Sequence, residues 1–578
     1  MNCAPTCFRS LIEKLYMSTS ITTNKHISID QHTTPPAPRW QILLLWILAL
    51  AVLLIAIFMR LYHLGAPFDR DGYDEGVYWQ SLRSMAAGHT LYQQIFYSQP
   101  PFFLLSIYPF FVLFGSTLWS ARFGIALVSL LGFLGAFLLG QAMNKRLGGI
   151  VGMLLLTFDP LYFTQSQKLQ AEAPAAAFSL LAVGTAYLWW DNPDTTAGLY
   201  LAAVSAIALV LGTLCKLYSL SSIIPIGLLL LTRLWQIWRH YPHTNRRSFL
   251  PILVYITACL ITALIILLPF TGTYSTLLQQ VITFHTTAGA ALIADKAYNK
   301  VLIENFLQAN PLLVIAALYG LLVGLVRRDW RVLPLLGWSL ATLYLLWQQV
   351  PLFSRHFVAL TPALICLAVI GLASSIQLKN ARESMQNNHK SRSNHTQGTD
   401  NDRSIVGTTL AVVLGEAVVL GLAVIMGRRA VMRWGATALA LLLILATVAV
   451  ELPQYPSYYT MVAQRSHDTY ATLQMRVADD VRNAIAPDQY IITDGQFIAA
   501  LADRNTPPDL VDTSMVRIAS GYLKYPQLIT DASQPQVHAI LFFTNRLKMP
   551  QLTPFFTWVT HHFHLKTKYG NGEELWVR

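Results

Sequence analysis

The sequence predicts an all-α polytopic membrane protein that ends in a small soluble α/β domain, and three observations predict it. Of 578 residues 54% are hydrophobic and 12% charged, with a mean hydropathy of +0.45, whereas an ordinary soluble chain carries about 25% charged residues. Apolar runs of spanning length recur through residues 40–452. From Gln454 onward the composition returns to that of a soluble domain of about 120 residues, a normal size.

The first run, residues 40–59, is twenty residues without a charge, the length a helix needs to cross ~30 Å of hydrocarbon. It follows a polar tail, residues 1–39, and lacks a small-residue cleavage site, so it is expected to stay as an anchor. Further uncharged runs follow Arg122, Arg146, Glu172, Asp194, Lys216, Arg247, Glu304, Arg331 and Arg355, with two more after Arg403 and Arg433. The expectation is about 11–13 transmembrane helices.

Basic clusters set the orientation. Lys145-Arg146, then Arg233 with Arg239, Arg246 and Arg247, then Arg327-Arg328 with Arg331, then Lys379 with Arg382, Lys390 and Arg392 are separated by even numbers of runs. All can therefore lie in the cytoplasm, together with the tail. Residues 100–115 are apolar but only sixteen long and open on two prolines, which predicts a re-entrant or interfacial segment within a long first outer loop, residues 60–117. Parity then puts Asp74-Glu75, Glu172, Lys216 and Arg355 at extracytoplasmic ends of spans.

The chain divides accordingly into a cytoplasmic tail (1–39), a membrane module (40–376), a polar stretch expected to be a disordered linker (377–405), additional transmembrane helices (406–452) and the soluble domain (454–578). In the last, a helical stretch at 469–486 precedes β-like runs at 490–493, 539–543 and 574–577. If the run at 404–427 turns back without crossing, this domain lies outside, which is the expectation adopted. The net charge of +12 is explained by Lys and Arg retained in cytoplasmic loops, so no nucleic-acid partner is expected. The five cysteines, Cys3, Cys7, Cys215, Cys259 and Cys366, show no metal spacing. His561, His562 and His564 read as surface residues, and neither a metal nor a cofactor is expected.

Charged groups at membrane depth are costly and by default face a polar cavity. Each has a plain structural explanation taken singly. Asp74-Glu75 can be a solvated turn, Glu172 a helix-start acid beside the dipole, Lys216 a snorkelling side chain, and Tyr73, Tyr78 and Trp79 part of an interfacial belt. Together, acids opposed to Lys216 and Arg355 on one face suit a reaction that deprotonates a hydroxyl while neutralising a departing phosphate. A transporter or flippase is the alternative, but it would place charges near mid-bilayer and show repeated halves, and no repeat is found. A non-catalytic scaffold leaves the one-sided charges unexplained.

Residues 40–376 resemble the polytopic GT-C glycosyltransferases of the protein O-mannosyltransferase and aminoarabinose transferase type (glycosyltransferase family 39-like). The resemblance is carried by Tyr73-Asp74-Glu75, by Gln99-Pro100-Pro101-Phe102 followed by Leu113-Phe114-Gly115, and by Arg122. It continues through Gln167-Lys168-Leu169-Gln170-Ala171-Glu172-Ala173-Pro174, Gly212-Thr213-Leu214-Cys215-Lys216, and Arg355-His356 with Leu360-Thr361-Pro362. Two positions depart from the family pattern. Gln99 stands where a basic residue often precedes the Pro-Pro pair, and Glu172 stands where Asp is common.

The resemblance implies a multi-pass plasma-membrane enzyme of the cell envelope, mannosyltransferase-like, transferring a hexose or pentose from a polyprenyl-phosphate donor with inversion. Its acceptor, whether protein, lipid or glycan, stays open, and membrane lipids are its surroundings. Asp74 would be the general base, with Glu75 shaping the site. Glu172 would bind hydroxyls or hold the first loop, and Lys216, Arg355 and Arg122 would compensate the lipid phosphate beside Gln99. Tyr73, Tyr78 and His356 would line the site. Residues 512–523 look too specific for a linker and are expected to cap the acceptor side.

Overall fold

A computed structural model describes residues 39–66, 72–239, 246–376 and 435–578. The expectations for the tail, for the 377–405 linker and for the run at 404–427 lie outside the described residues. The chain divides into two compact units, residues 1–46 and 47–578, and the second holds both the membrane body and the C-terminal sheet domain.

Helix α1 (Arg39–Leu61) is built from an unbroken apolar run and leads to the loop expected from the sequence at residues 60–117. That loop holds two short helices, α2 (Tyr73–Ala86) and α3 (Phe102–Leu113). At 1.5 Å per residue the 12 residues of α3 reach only about 18 Å, too short to cross the hydrocarbon. Helix α4 (Leu118–Thr157) opens on a capping box between Thr117 and Ser120 and leaves helical geometry at Asn144 and Lys145. There the chain folds back: a Cβ on Gly140 or Gly148 would collide with the other's backbone, so the two limbs close on each other only because both residues are glycine. The tip of this hairpin carries Lys145-Arg146, one of the four basic clusters.

Helices α5 (Glu172–Asp191), α6 (Thr196–Cys215), α7 (Ile223–Arg239) and α8 (Leu250–Leu267) follow, then α9 (Pro311–Arg327), α10 (Val332–Gln348) and α11 (Thr361–Ile376). Among the described residues 8 helices are long and apolar enough to cross a membrane, or 9 if one bent pair is a single span. The second limb of α4, past the break at Asn144 and Lys145, and the 17-residue apolar helix α10 are shorter than this length test requires.

The last described span, Gly435–Arg465, runs past the expected domain boundary at 454. Its polar-looking end is a row of tyrosines: Tyr455 packs on Phe163 at 4.7 Å and Tyr459 lies 4.9 Å from Tyr62. The next helix, Thr469–Ala484, which Asp468 caps, leads into the C-terminal sheet domain. Its sheet has the order β1-β2-β4-β3, with β1 (Tyr490–Thr493), β2 (Val537–Phe542), β3 (His564–Gly570) and β4 (Glu573–Val577). Strands β1 and β2 run parallel, and the other pairs are antiparallel. Side chains alternate across it. Ile492, Ile540 and Phe542 enter one core with Leu510, Leu528 and Phe555, while Ile491, Ala539 and Leu541 enter a second with Val477, Val481 and Ile498. Strand β3 escaped the sequence reading because it is a mostly exposed edge, HLKTKYG, whose lysines resist further pairing.

This domain sits directly on α2. A Cβ on Gly76 would strike the backbone of Phe497, so glycine is what permits the close approach. Gln80 Nε2 donates to the Arg504 carbonyl at 2.9 Å, and Arg83 reaches Asn505 at 2.9 Å and Asp503 at 2.6 Å. The soluble domain thus lies on the same side of the membrane module as α2.

Candidate active site

Between the ends of the spans and the soluble domain lies a cavity of about 810 Å³. Asp74 and Glu75 both occupy the first turn of α2, where acids suit the helix dipole. Successive helical residues diverge by about 100°, and this separates their fates. Asp74 lines the cavity. Glu75 turns inward, where Oε1 accepts from Arg122 Nε at 2.8 Å and from the Leu169 N–H at 2.7 Å, and Oε2 accepts from Arg122 Nη2 at 2.5 Å.

Arg122 also donates to the carbonyls of Leu64, at 2.9 Å, and Ala66. Neither Arg122, expected beside the lipid phosphate, nor Glu75, expected to shape the site, lines the cavity: the fully buried guanidinium is forked onto the buried carboxylate and joins α2, α4 and the segment that precedes α5.

The remaining charges converge. Glu172 begins α5 with its side chain buried. Lys216 is the extended residue at which α6 stops, so its ammonium emerges where that span ends. Arg355 and His356 belong to a 3₁₀ turn, Ser354–Ala359, leading into α11. Arg355 Nη2 lies 2.7 Å from Asp74 Oδ2, and its Nε lies 3.6 Å from Glu172 Oε1. Lys216 Nζ is paired with the same Glu172 oxygen.

His356 Nδ1 accepts from the Phe353 N–H at 3.3 Å and faces the Tyr218 hydroxyl at 3.2 Å. That network assigns the ring proton to Nε2, 3.8 Å from Glu172 Oε1. Two carboxylates and two cations therefore form one continuous, formally neutral set. Burial pushes the Asp74 carboxyl above its ordinary range, and the adjacent Arg355 guanidinium opposes the shift.

Gln99 lines the cavity, its carbonyl accepting from Tyr92 at 2.7 Å. Tyr73 and Tyr78 line it too, Tyr78 lying edge-on to Phe103 at 5.0 Å. The structure thus gathers Tyr73, Asp74, Tyr78, Gln99, Glu172, Lys216, Arg355 and His356 around one space. It adds Tyr218, His285, Tyr470 and Arg546, which the sequence reading did not assign, and Asp512 and Ser514. Residues 512–516 belong to the segment singled out as specific. Arg546 carried no signal, since it follows β2 in a turn at Asn545 some 470 positions from Tyr73. Among the described residues no group of three or more His, Cys, Asp or Glu could hold a metal.

The family described as dolichyl-phosphate-mannose-protein mannosyltransferase matches residues 98–271. The crystal structure of ArnT from Cupriavidus metallidurans bound to undecaprenyl phosphate aligns with a TM-score of 0.55 at 17% identity, covering 93% of this chain and 98% of that one. The same protein in the apo state aligns with a TM-score of 0.54 at 15% identity over the same shares. No curated protein sequence matches significantly. The chain has a GT-C fold of the PMT/ArnT type, a multi-pass membrane body with a small C-terminal sheet domain.

Proposed function

We propose that the protein is a glycosyltransferase that moves a sugar, with inversion, from a polyprenyl-phosphate carrier to an acceptor hydroxyl at the extracytoplasmic face. The observation that carries this reading is the pairing of Asp74 with Arg355, and of Glu172 with Lys216, around one cavity at the ends of the spans. Asp74 takes the acceptor proton as the hydroxyl oxygen attacks the anomeric carbon. The bond from that carbon to the phosphate oxygen breaks, and Lys216 and Arg355 balance the charge gained by the departing phosphate. Glu172 keeps Lys216 in place and offers its carboxylate edge to hydroxyls, with the imidazole of His356 beside it.

Both cations rest on carboxylates. An incoming phosphodiester competes for them, and whatever share of Arg355 it takes releases Asp74 for proton transfer. Because Gln99 offers no charge, the phosphate depends on Lys216 and Arg355. ArnT, of the same fold, binds undecaprenyl phosphate, which makes that lipid the natural probe. Purified protein should bind undecaprenyl phosphate, and Lys216→Ala should weaken the affinity about tenfold, the loss of one charge-assisted hydrogen bond. Wild-type protein that ignores the lipid would sink the lipid-phosphate reading.

The extracytoplasmic placement rests on the basic clusters at the opposite ends of the spans. In intact cells a membrane-impermeant thiol reagent should modify Ala87→Cys, an exposed position at the end of α2, and spare Arg327→Cys. The reverse pattern would move the site to the cytoplasm.

A further inference from the structure

We propose that Asp512 and Arg546 of the C-terminal domain are positioning residues of the transfer reaction, clamping Tyr73 so that the first turn of α2 aims Asp74 into the cavity. The proposal rests on the glycosyltransferase reading and adds to it a role for a domain that the charge pattern of the membrane module left without one.

Helix α2 begins weakly. Its N-cap is Gly72, at φ 59, which supplies no side-chain acceptor to the open N–H groups of the first turn. Such a turn frays unless something else holds it. Three contacts do so. Glu75 is forked to Arg122, and Gly76 lies against Phe497. The third is Tyr73, the residue next to the proposed base. Its hydroxyl donates to Asp512 Oδ1 at 3.1 Å, and the Arg546 guanidinium lies 3.9 Å over its ring.

The clamp is itself anchored. Asp512 Oδ1 also accepts from the Ser514 N–H at 2.8 Å. Arg517, stacked 3.8 Å over Phe96 of the outer loop, donates to the Asp512 carbonyl at 2.7 Å and the Asp509 carbonyl at 2.5 Å. Tyr73 is thus gripped by hydrogen bond and ring face together, from a segment fixed to the same outer loop.

Asp512 also belongs to the electrostatic surroundings of Asp74, which comprise Arg355 and Lys216, favouring the carboxylate, and Glu172 and Asp512, opposing it, with the Tyr78 hydroxyl close by. Removing the Asp512 charge therefore lowers the Asp74 pKa and moves the acid limb of the pH–rate profile to lower pH. A merely structural defect would not move it.

The test uses full-length purified protein and a defined undecaprenyl-phosphate sugar that the wild type turns over. Tyr73→Phe, Asp512→Asn and Arg546→Ala should each lower kcat at least ~10-fold, as expected for a displaced reacting group, with donor KM within about twofold. Asp512→Asn should also shift the acid limb downward, while Tyr73→Phe, which keeps the Asp512 charge, should leave the limb in place. Tyr73→Phe keeps the ring under Arg546 and serves if Asp512→Asn fails to fold. An active wild type with unchanged kcat in Tyr73→Phe or Asp512→Asn overturns the clamp alone. A wild type inert toward every such donor overturns the transfer reading, and the clamp's role with it.

Discussion

Asp74→Asn is expected to lower turnover at least ~100-fold, the usual contribution of a positioned general base. The amide keeps size and one hydrogen-bond acceptor but cannot take the proton. Donor affinity should hold, because the substitution removes the carboxylate that competes with phosphate for Arg355. The pH profile checks the assignment. Burial raises the Asp74 pKa, with Arg355 resisting, so the rate should rise with pH through a midpoint above the ordinary Asp value of about 4. That limb should vanish in the Asn variant. Near-wild-type transfer by Asp74→Asn would remove Asp74 from the mechanism and leave Glu172 as the base, since both Glu75 oxygens are bound elsewhere.

Arg122→Ala should cost about 3–5 kcal/mol, the range for breaking a buried ion pair. Arg122 is 0% exposed and Glu75 1%, so truncation leaves a buried carboxylate with its counter-charge gone and the Leu169 N–H still donating to it. A loss of this size rivals the whole stability of a typical domain, and little folded protein should survive detergent extraction. Arg122→Lys should not rescue it, because one ammonium cannot reproduce a two-pronged contact plus two carbonyls. Combining Arg122→Met with Glu75→Gln should be milder than Arg122→Ala, since no charge is then left buried. Monodisperse, wild-type-like Arg122→Ala on size-exclusion chromatography would refute the structural role.

The membrane body was readable because its signal is local. Apolar runs bounded by charge mark the spans, and Lys145-Arg146 falls at the tip of the α4 hairpin. Asp74, Glu172, Lys216 and Arg355 were connected by parity, and the structure brings their charged groups into one ionic set. What the sequence does not resolve is a direction. Asp74 and Glu75 are chemically alike, and only the rotation of α2 against α4 decides which one meets Arg122. The polar edge of β3 and the ring contacts of Tyr455 and Tyr459 are not legible in composition, which describes a side chain's preference rather than its neighbours. Arg546 lay beyond reach for the same reason, its place being fixed only by the docking of one domain on another.

The hydrogen bond between Tyr73 and Asp512 joins residues 439 positions apart, and this has a bearing on biosynthesis. At ribosomal rates of about 5–20 residues per second, Asp512 is made roughly twenty to ninety seconds after Tyr73. Through that interval the growing chain already carries Asp74, and later Lys216, at the membrane. It has no wall of the cavity from the C-terminal domain and no grip on the turn bearing Asp74. On the proposed glycosyltransferase reading, chains cut short by premature termination are then silent passengers rather than leaky hydrolases of a donor, because competence arrives only with the last folded layer.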